Sequence, residues 1–128
     1  MSKTVQYVVV KPYVVTNQYD EDRESIVLYE TTQDRLGDEI RAHIGGYFDI
    51  AGGIHDSSIF VHDEGLLIGL PTNVLASLIS KPMTTLAGPA VIAGPPDAEG
   101  WTMSVPDAVL VEIANAFPLA PLHKVCRV

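Results

Sequence analysis

Cys126 is the only cysteine in the chain, so no internal disulfide can form and thiol usage gives no sign of an oxidising compartment. Positive charge is scarce. Eight Lys and Arg stand against sixteen Asp and Glu, a net charge of −8, and such a surface repels phosphate backbones, which argues against direct nucleic-acid binding. Long apolar runs are missing as well. No stretch approaches the ~18 uninterrupted apolar residues of a membrane span, and the apolar start of the chain is broken by Lys11-Pro12 with no small-residue cleavage site after it. A soluble, cytoplasmic protein with no membrane partner is expected. Signatures of catalysis and of cofactors are absent too. No histidine pair has H-x-x-x-H or H-E-x-x-H spacing, no G-x-S-x-G occurs, and Gly45-Gly46 and Gly52-Gly53 fit neither the Walker nor the dinucleotide pattern. No cofactor is therefore expected.

The chain does have enough apolar matter for a core: 47% of its 128 residues are hydrophobic and its mean hydropathy is +0.20. One compact domain over residues 1–128 follows. Its acidity is local. Asp20 to Glu64 holds twelve acids and three bases, whereas the segments before and after carry +2 and −1.

Val5 to Thr16, rich in Val and Tyr, reads as an edge strand broken at Lys11-Pro12 or as two short strands, because proline cannot donate to a ladder. A polar loop, Asn17 to Ser25, leads to a strand at Ile26 to Tyr29. Thr31 and Asp34 have capping-box spacing, and Leu36, Ile40 and Ile44 recur every four residues along a helix that Gly45-Gly46 closes. "YFDIAGG" is a short strand, and Ser58–Val61 and Leu66–Gly69 are the two arms of a hairpin turning at His62-Asp63-Glu64-Gly65. Pro71 to Asn73 opens a second helix that Lys81-Pro82 stops. Ala87 to Ala93 reads as a buried strand, Asp97 to Gly100 as a turn into a strand "WTMSV", and Ser104, Pro106 and Asp107 as the start of a third helix carrying Val109, Leu110, Ile113 and Phe117. The tail, residues 119–128, reads as irregular. The hairpins point to an α+β fold with a mostly antiparallel sheet and about three helices packed on one face.

Three constellations invite chemistry. His55-Asp56 and His62-Asp63-Glu64 are polar turn residues, or, brought together across neighbouring turns, the ligands of a metal-assisted hydrolase. Cys126, between Lys124 and Arg127 near the end of the chain, reads as an incidental thiol. The acids from Asp20 to Glu64 are a solvated face or an imitation of nucleic acid aimed at a basic partner.

The stretches "IGGYFDIAG", "VHDEGLLIGLPTN" and "LAGPAVIAG", followed by a late helix, resemble a small domain family of unknown function found in bacteriophages, plasmids and Gram-positive bacteria. The resemblance runs from about Leu36 to Phe117. It places Gly45, Gly46 and Tyr47 on the first motif, Asp63, Glu64 and Gly65 on the acidic turn, and Leu70, Pro71 and Asn73 on the helix start. His62 stands where the family tends to have asparagine. The resemblance implies a phage or mobile-element accessory protein. Together with the compact size and the absence of a catalytic constellation, that setting favours a non-enzymatic module binding a host protein or a small ligand through Gly46, Tyr47, Asp63, Glu64, Gly65 and Asn73. Asn73 has a competing use as a helix cap. A homo-oligomer stays open, since the apolar terminal strand could support self-association.

Overall fold

The computed structural model describes residues 4–12, 26–80, 84–116 and 123–126. In chain order its elements are β1 (Thr4–Val10), β2 (Ile26–Thr32), α1 (Gln33–Ile44), β3 (Phe48–Ile54), β4 (Ser57–His62), α2 (Val74–Ile79), β5 (Ala90–Ala93), α3 (Asp107–Ala116) and β6 (His123–Cys126). Side chains alternate across a strand, so the apolar run of β1 supplies two cores at once. Val5, Tyr7 and Val9 face one cluster and Val8 and Val10 the other.

The strands form a single sheet in the order β3-β4-β5-β1-β2-β6. The first five are antiparallel to their neighbours, and β6 lies parallel to β2 at the far edge. This is a single α+β domain. The described residues form a mostly antiparallel sheet with three helices, as the α+β reading expects.

Several sequence expectations need correction. β1 is a central strand, paired with β2 and β5, and it ends at Val10, so Pro12 lies past the ladder and not within it. The second half of that expected strand, residues 13–16, and the polar loop lie outside the described residues. The helices do not share a face. Leu36, Ile40 and Ile44 of α1 pack with Tyr7, Tyr29 and Val91 on one side, while Ala76 and Ile79 of α2 and Val109 and Ile113 of α3 pack with Val8, Leu28 and Ile92 on the other. Strands buried on both faces are what make the pattern of β1 and β5 continuous and not alternating.

Capping also differs. Thr32, not Thr31, is the N-cap of α1 and makes no side-chain cap bond; Thr31 is a buried strand residue whose hydroxyl donates to Glu39. At the other end, Gly45 takes the left-handed conformation at φ 86° and its N–H returns to Arg41 O, as the glycine pair suggests. "WTMSV" is not a strand of the sheet: beyond one isolated bridge, Pro96 to Thr102, it is held by bonds such as Val105 N to Gln6 O and Met103 N to Pro95 O. Nor is the tail wholly irregular, since residues 123–126 form β6. A four-residue strand is too short to show a period.

Candidate functional site

The tight turn of the β3–β4 hairpin is Ile54-His55-Asp56-Ser57, where His55 and Asp56 adopt φ values of +47° and +62°. Two positive φ angles in succession mark the type I′ geometry that matches strand twist. His62-Asp63-Glu64-Gly65 is therefore not a hairpin tip. It begins a helical loop after β4, in which Ile68 N donates to Glu64 O at 2.9 Å and Leu70 N to Gly65 O at 3.0 Å. The expected strand at Leu66–Gly69 does not exist. β4 already lies between β3 and β5, which leaves no ladder for those residues to join.

The consequence is an exposed apolar loop. Leu66 is 64% exposed, Leu67 86% and Ile68 55%. Leu66 and Leu67 stand beside a cleft of ≈ 440 Å³, whose other walls are Asp49, Ile50 and Ala51 of β3, Val61 and His62 of β4, and residues 84–87. Val61 and Ala51 pack on the core beneath α2 and α3, and Asp49 lies directly opposite Val61 in the ladder, so the cleft opens on that face of the sheet. Gly65 shapes its wall: a Cβ there would lie 2.9 Å from the carbonyl oxygen of Ala87.

Three acidic residues line the cleft, Asp49, Asp63 and Glu64, and among the described residues no Lys or Arg does. His62 is fixed by Glu64, whose backbone N–H donates to Nδ1 at 3.0 Å. With Nδ1 accepting, the hydrogen-bond pattern assigns the ring proton to Nε2. The Asp63 carboxylate stands 3.4 Å from the same Nδ1, and the ring covers Gly46, where an added Cβ would meet Nε2 at 2.9 Å. Tyr47, 77% exposed, accepts from Asp63 N through its carbonyl at 3.2 Å.

Asp63, Glu64 and Gly65 thus come together in the cleft, with Gly46 and Tyr47 adjoining through His62 and Asp63. Asn73 is elsewhere. It has no exposed surface; its Nδ2 donates to Val10 O at 2.8 Å and Gly88 O at 3.0 Å, and its Oδ1 accepts from Ala76 N at 3.1 Å. Both amide hydrogens are used and the side chain caps α2, so it ties that helix to β1 and to the start of β5.

The hydrolase arrangement is corrected by the same geometry. His55 and His62 stand at opposite ends of β4, whose five steps of ~3.3 Å put roughly 17 Å between its ends. His55 instead contacts Glu112 of α3, Nε2 to Oε2, at 3.2 Å. Among the described residues no group of three or more His, Cys, Asp or Glu could hold a metal ion. Among the described residues the acids do not form one line, because exposed Asp34 and Asp38 belong to α1 on the opposite face from the cleft, and Asp20 to Glu24 lie outside the described residues.

Sequence reasoning missed a second polar cluster. Tyr7 Oη donates to Glu39 Oε1 at 2.7 Å and lies 3.0 Å from His43 Nε2, Thr31 donates to the other Glu39 oxygen, and Tyr29 stacks on Tyr7 with 5.5 Å between ring centroids. Its signal was legible: Glu39 and His43 are four apart and flank the Leu36, Ile40, Ile44 stripe, and Tyr7 shares parity with Val5 and Val9. Tyr7 has no exposed surface, so the cluster fastens α1 to the sheet.

Comparison with known families decides the chain's kinship. The model of a domain of unknown function, DUF3846, matches residues 9–118. The chain belongs to the DUF3846 family. The DUF3846 match starts well before Leu36, so it takes in the last two residues of β1 and all of β2 as well as the motif-bearing segment. Neither a curated protein nor a solved structure matches the chain significantly.

No described helix is long and apolar enough to cross a membrane.

Proposed function

We propose that this DUF3846 domain is a non-enzymatic binding module that holds a basic and apolar segment of a partner protein in the cleft between β3 and the 63–70 loop. The observation that carries the reading is the coincidence, in one ≈ 440 Å³ cleft, of three acidic residues with the exposed Leu66 and Leu67. Large side chains exposed to this degree in one contiguous place mark an interaction surface. The carboxylates select the sign of the partner's charge and steer its approach. Such a module suits an accessory protein of a phage or mobile element that modulates a host protein in the bacterial cytoplasm. The family resemblance supports that setting.

A peptide array tests the reading. The wild-type protein is expected to retain peptides that mix Lys or Arg with apolar residues and to ignore those in which Asp or Glu replaces the basic positions. Leu66→Lys and Leu67→Lys, both at exposed positions, are expected to abolish retention while melting like the wild type. Equal retention of acidic and basic peptides, or binding untouched by both substitutions, would overturn it.

A further inference from the structure

We infer that the partner segment binds as an added β-strand along the outer edge of β3. Strand addition presupposes that the cleft is a recognition surface, and it specifies how that surface is used. β3 is the first strand of the sheet, and among the described residues nothing pairs with its outer side. The cleft runs along this same strand, taking Asp49, Ile50 and Ala51 from it.

An open edge is a template for any extended chain, and proteins that keep one soluble blunt it with charge or a bulge. β3 has both. The register slips between Ile50 and Gly52, leaving Ala51 as a bulge, and Asp49 Oδ1 covers the N–H of Ile50 at 2.8 Å. That carboxylate is a removable cover. A lysine or arginine arriving beside it draws Asp49 into an ion pair and frees the Ile50 N–H for a backbone carbonyl of the incoming strand.

Charge decides the occupant. A second copy paired through β3 would bring Asp49, Asp63 and Glu64 of one chain toward the same acids of the other, in a protein of net charge −8. Like charges brought together across an interface oppose it. An extended segment with an apolar centre and basic flanks has the reverse property. Its alternate side chains reach Ala51 and Leu67, and its flanking cations meet Asp49 and the 63–64 pair. Backbone hydrogen bonds supply affinity and the alternate side chains supply selectivity, as in other cases of strand addition.

The test uses the whole chain and a synthetic peptide with a Val-Thr-Val centre between two pairs of lysines, its ends blocked. Binding is followed by fluorescence anisotropy, and backbone amide exchange is followed along β3. The expected result is saturable binding with new protection at Ile50 and its neighbours. Methylating the backbone nitrogens of the peptide's centre is expected to weaken binding about tenfold or more, as loss of one or two net hydrogen bonds would. If the methylated peptide binds as well as its parent while Leu67→Lys still abolishes binding, strand addition is wrong and the cleft reading survives. If the parent peptide does not bind, or if the peptide-free protein dimerises through β3, strand addition is overturned. Failure of the peptide array would remove both.

Discussion

Replacing Asn73 with alanine removes three hydrogen bonds from a residue with no exposed surface. Loss of the cap on Ala76 N costs about 1 kcal/mol. The carbonyls of Val10 and Gly88 lose buried donors at a net ~1 kcal/mol each. The sum, about 3 kcal/mol, is a large part of the 5–15 kcal/mol that typically separates a folded domain from its unfolded chain. In urea, with a slope near ~1.5 kcal/mol per molar for a domain of this size, the midpoint should fall by about 2 M. Asn73→Asp keeps the acceptor for Ala76 N but turns carboxylate oxygen toward two carbonyls, so it should be at least as damaging at neutral pH. The assay is equilibrium urea unfolding followed by circular dichroism and Trp101 fluorescence together. A loss below ~1 kcal/mol for Asn73→Ala, or an Asn73→Asp protein near wild-type stability, would refute the claim that this side chain ties α2 to the sheet.

Other positions give further tests. Gly46→Ala places a Cβ 2.9 Å from His62 Nε2 and should cost about 1–2 kcal/mol in thermal unfolding, with most of the loss recovered in the double variant with His62→Ala, a coupling that a double-mutant cycle measures. Gly94→Ala is more severe, because its Cβ would fall 2.1 Å from the backbone oxygen of Ser104; a loss of ~3 kcal/mol or more is expected, seen as poor soluble yield and a low melting temperature. Tyr7→Phe removes the donor to Glu39 while keeping the stacked ring, and should lower stability by about 1–2 kcal/mol without altering peptide binding in the cleft.

The sequence made the helices and the glycine close of α1 legible because those signals are local; the expected stop at Lys81-Pro82 lies outside the described residues. Leu36, Ile40 and Ile44 define one face of α1 wherever that face packs, and Gly45 closes the helix through its own backbone freedom. Sheet order was not legible in the same way. Val8 and Val9 point into different cores, and their shared apolarity hides the fact that helices cover both faces. The hairpin was misplaced because His55-Asp56 reaches positive φ without a glycine, while Glu64-Gly65 carries the familiar turn chemistry and serves a helical loop instead. The cleft was missed through that error: Leu66 and Leu67 read as residues of a hairpin strand, and they stand exposed in a loop. Asp63, Glu64 and Gly65 were found from their composition, but Asp49 and Ile50 reach them only through the ladder pairing of β3 with β4.

The most direct measurement is a two-dimensional NMR titration of the labelled protein with the lysine-flanked peptide. Shifts concentrated on residues 49–51, 63–67 and 84–87, growing smaller as salt rises and sparing Tyr7, Glu39 and His43 on the opposite face, are the predicted result. Shifts centred on α1, or none in the cleft at peptide concentrations that saturate binding, would contradict it.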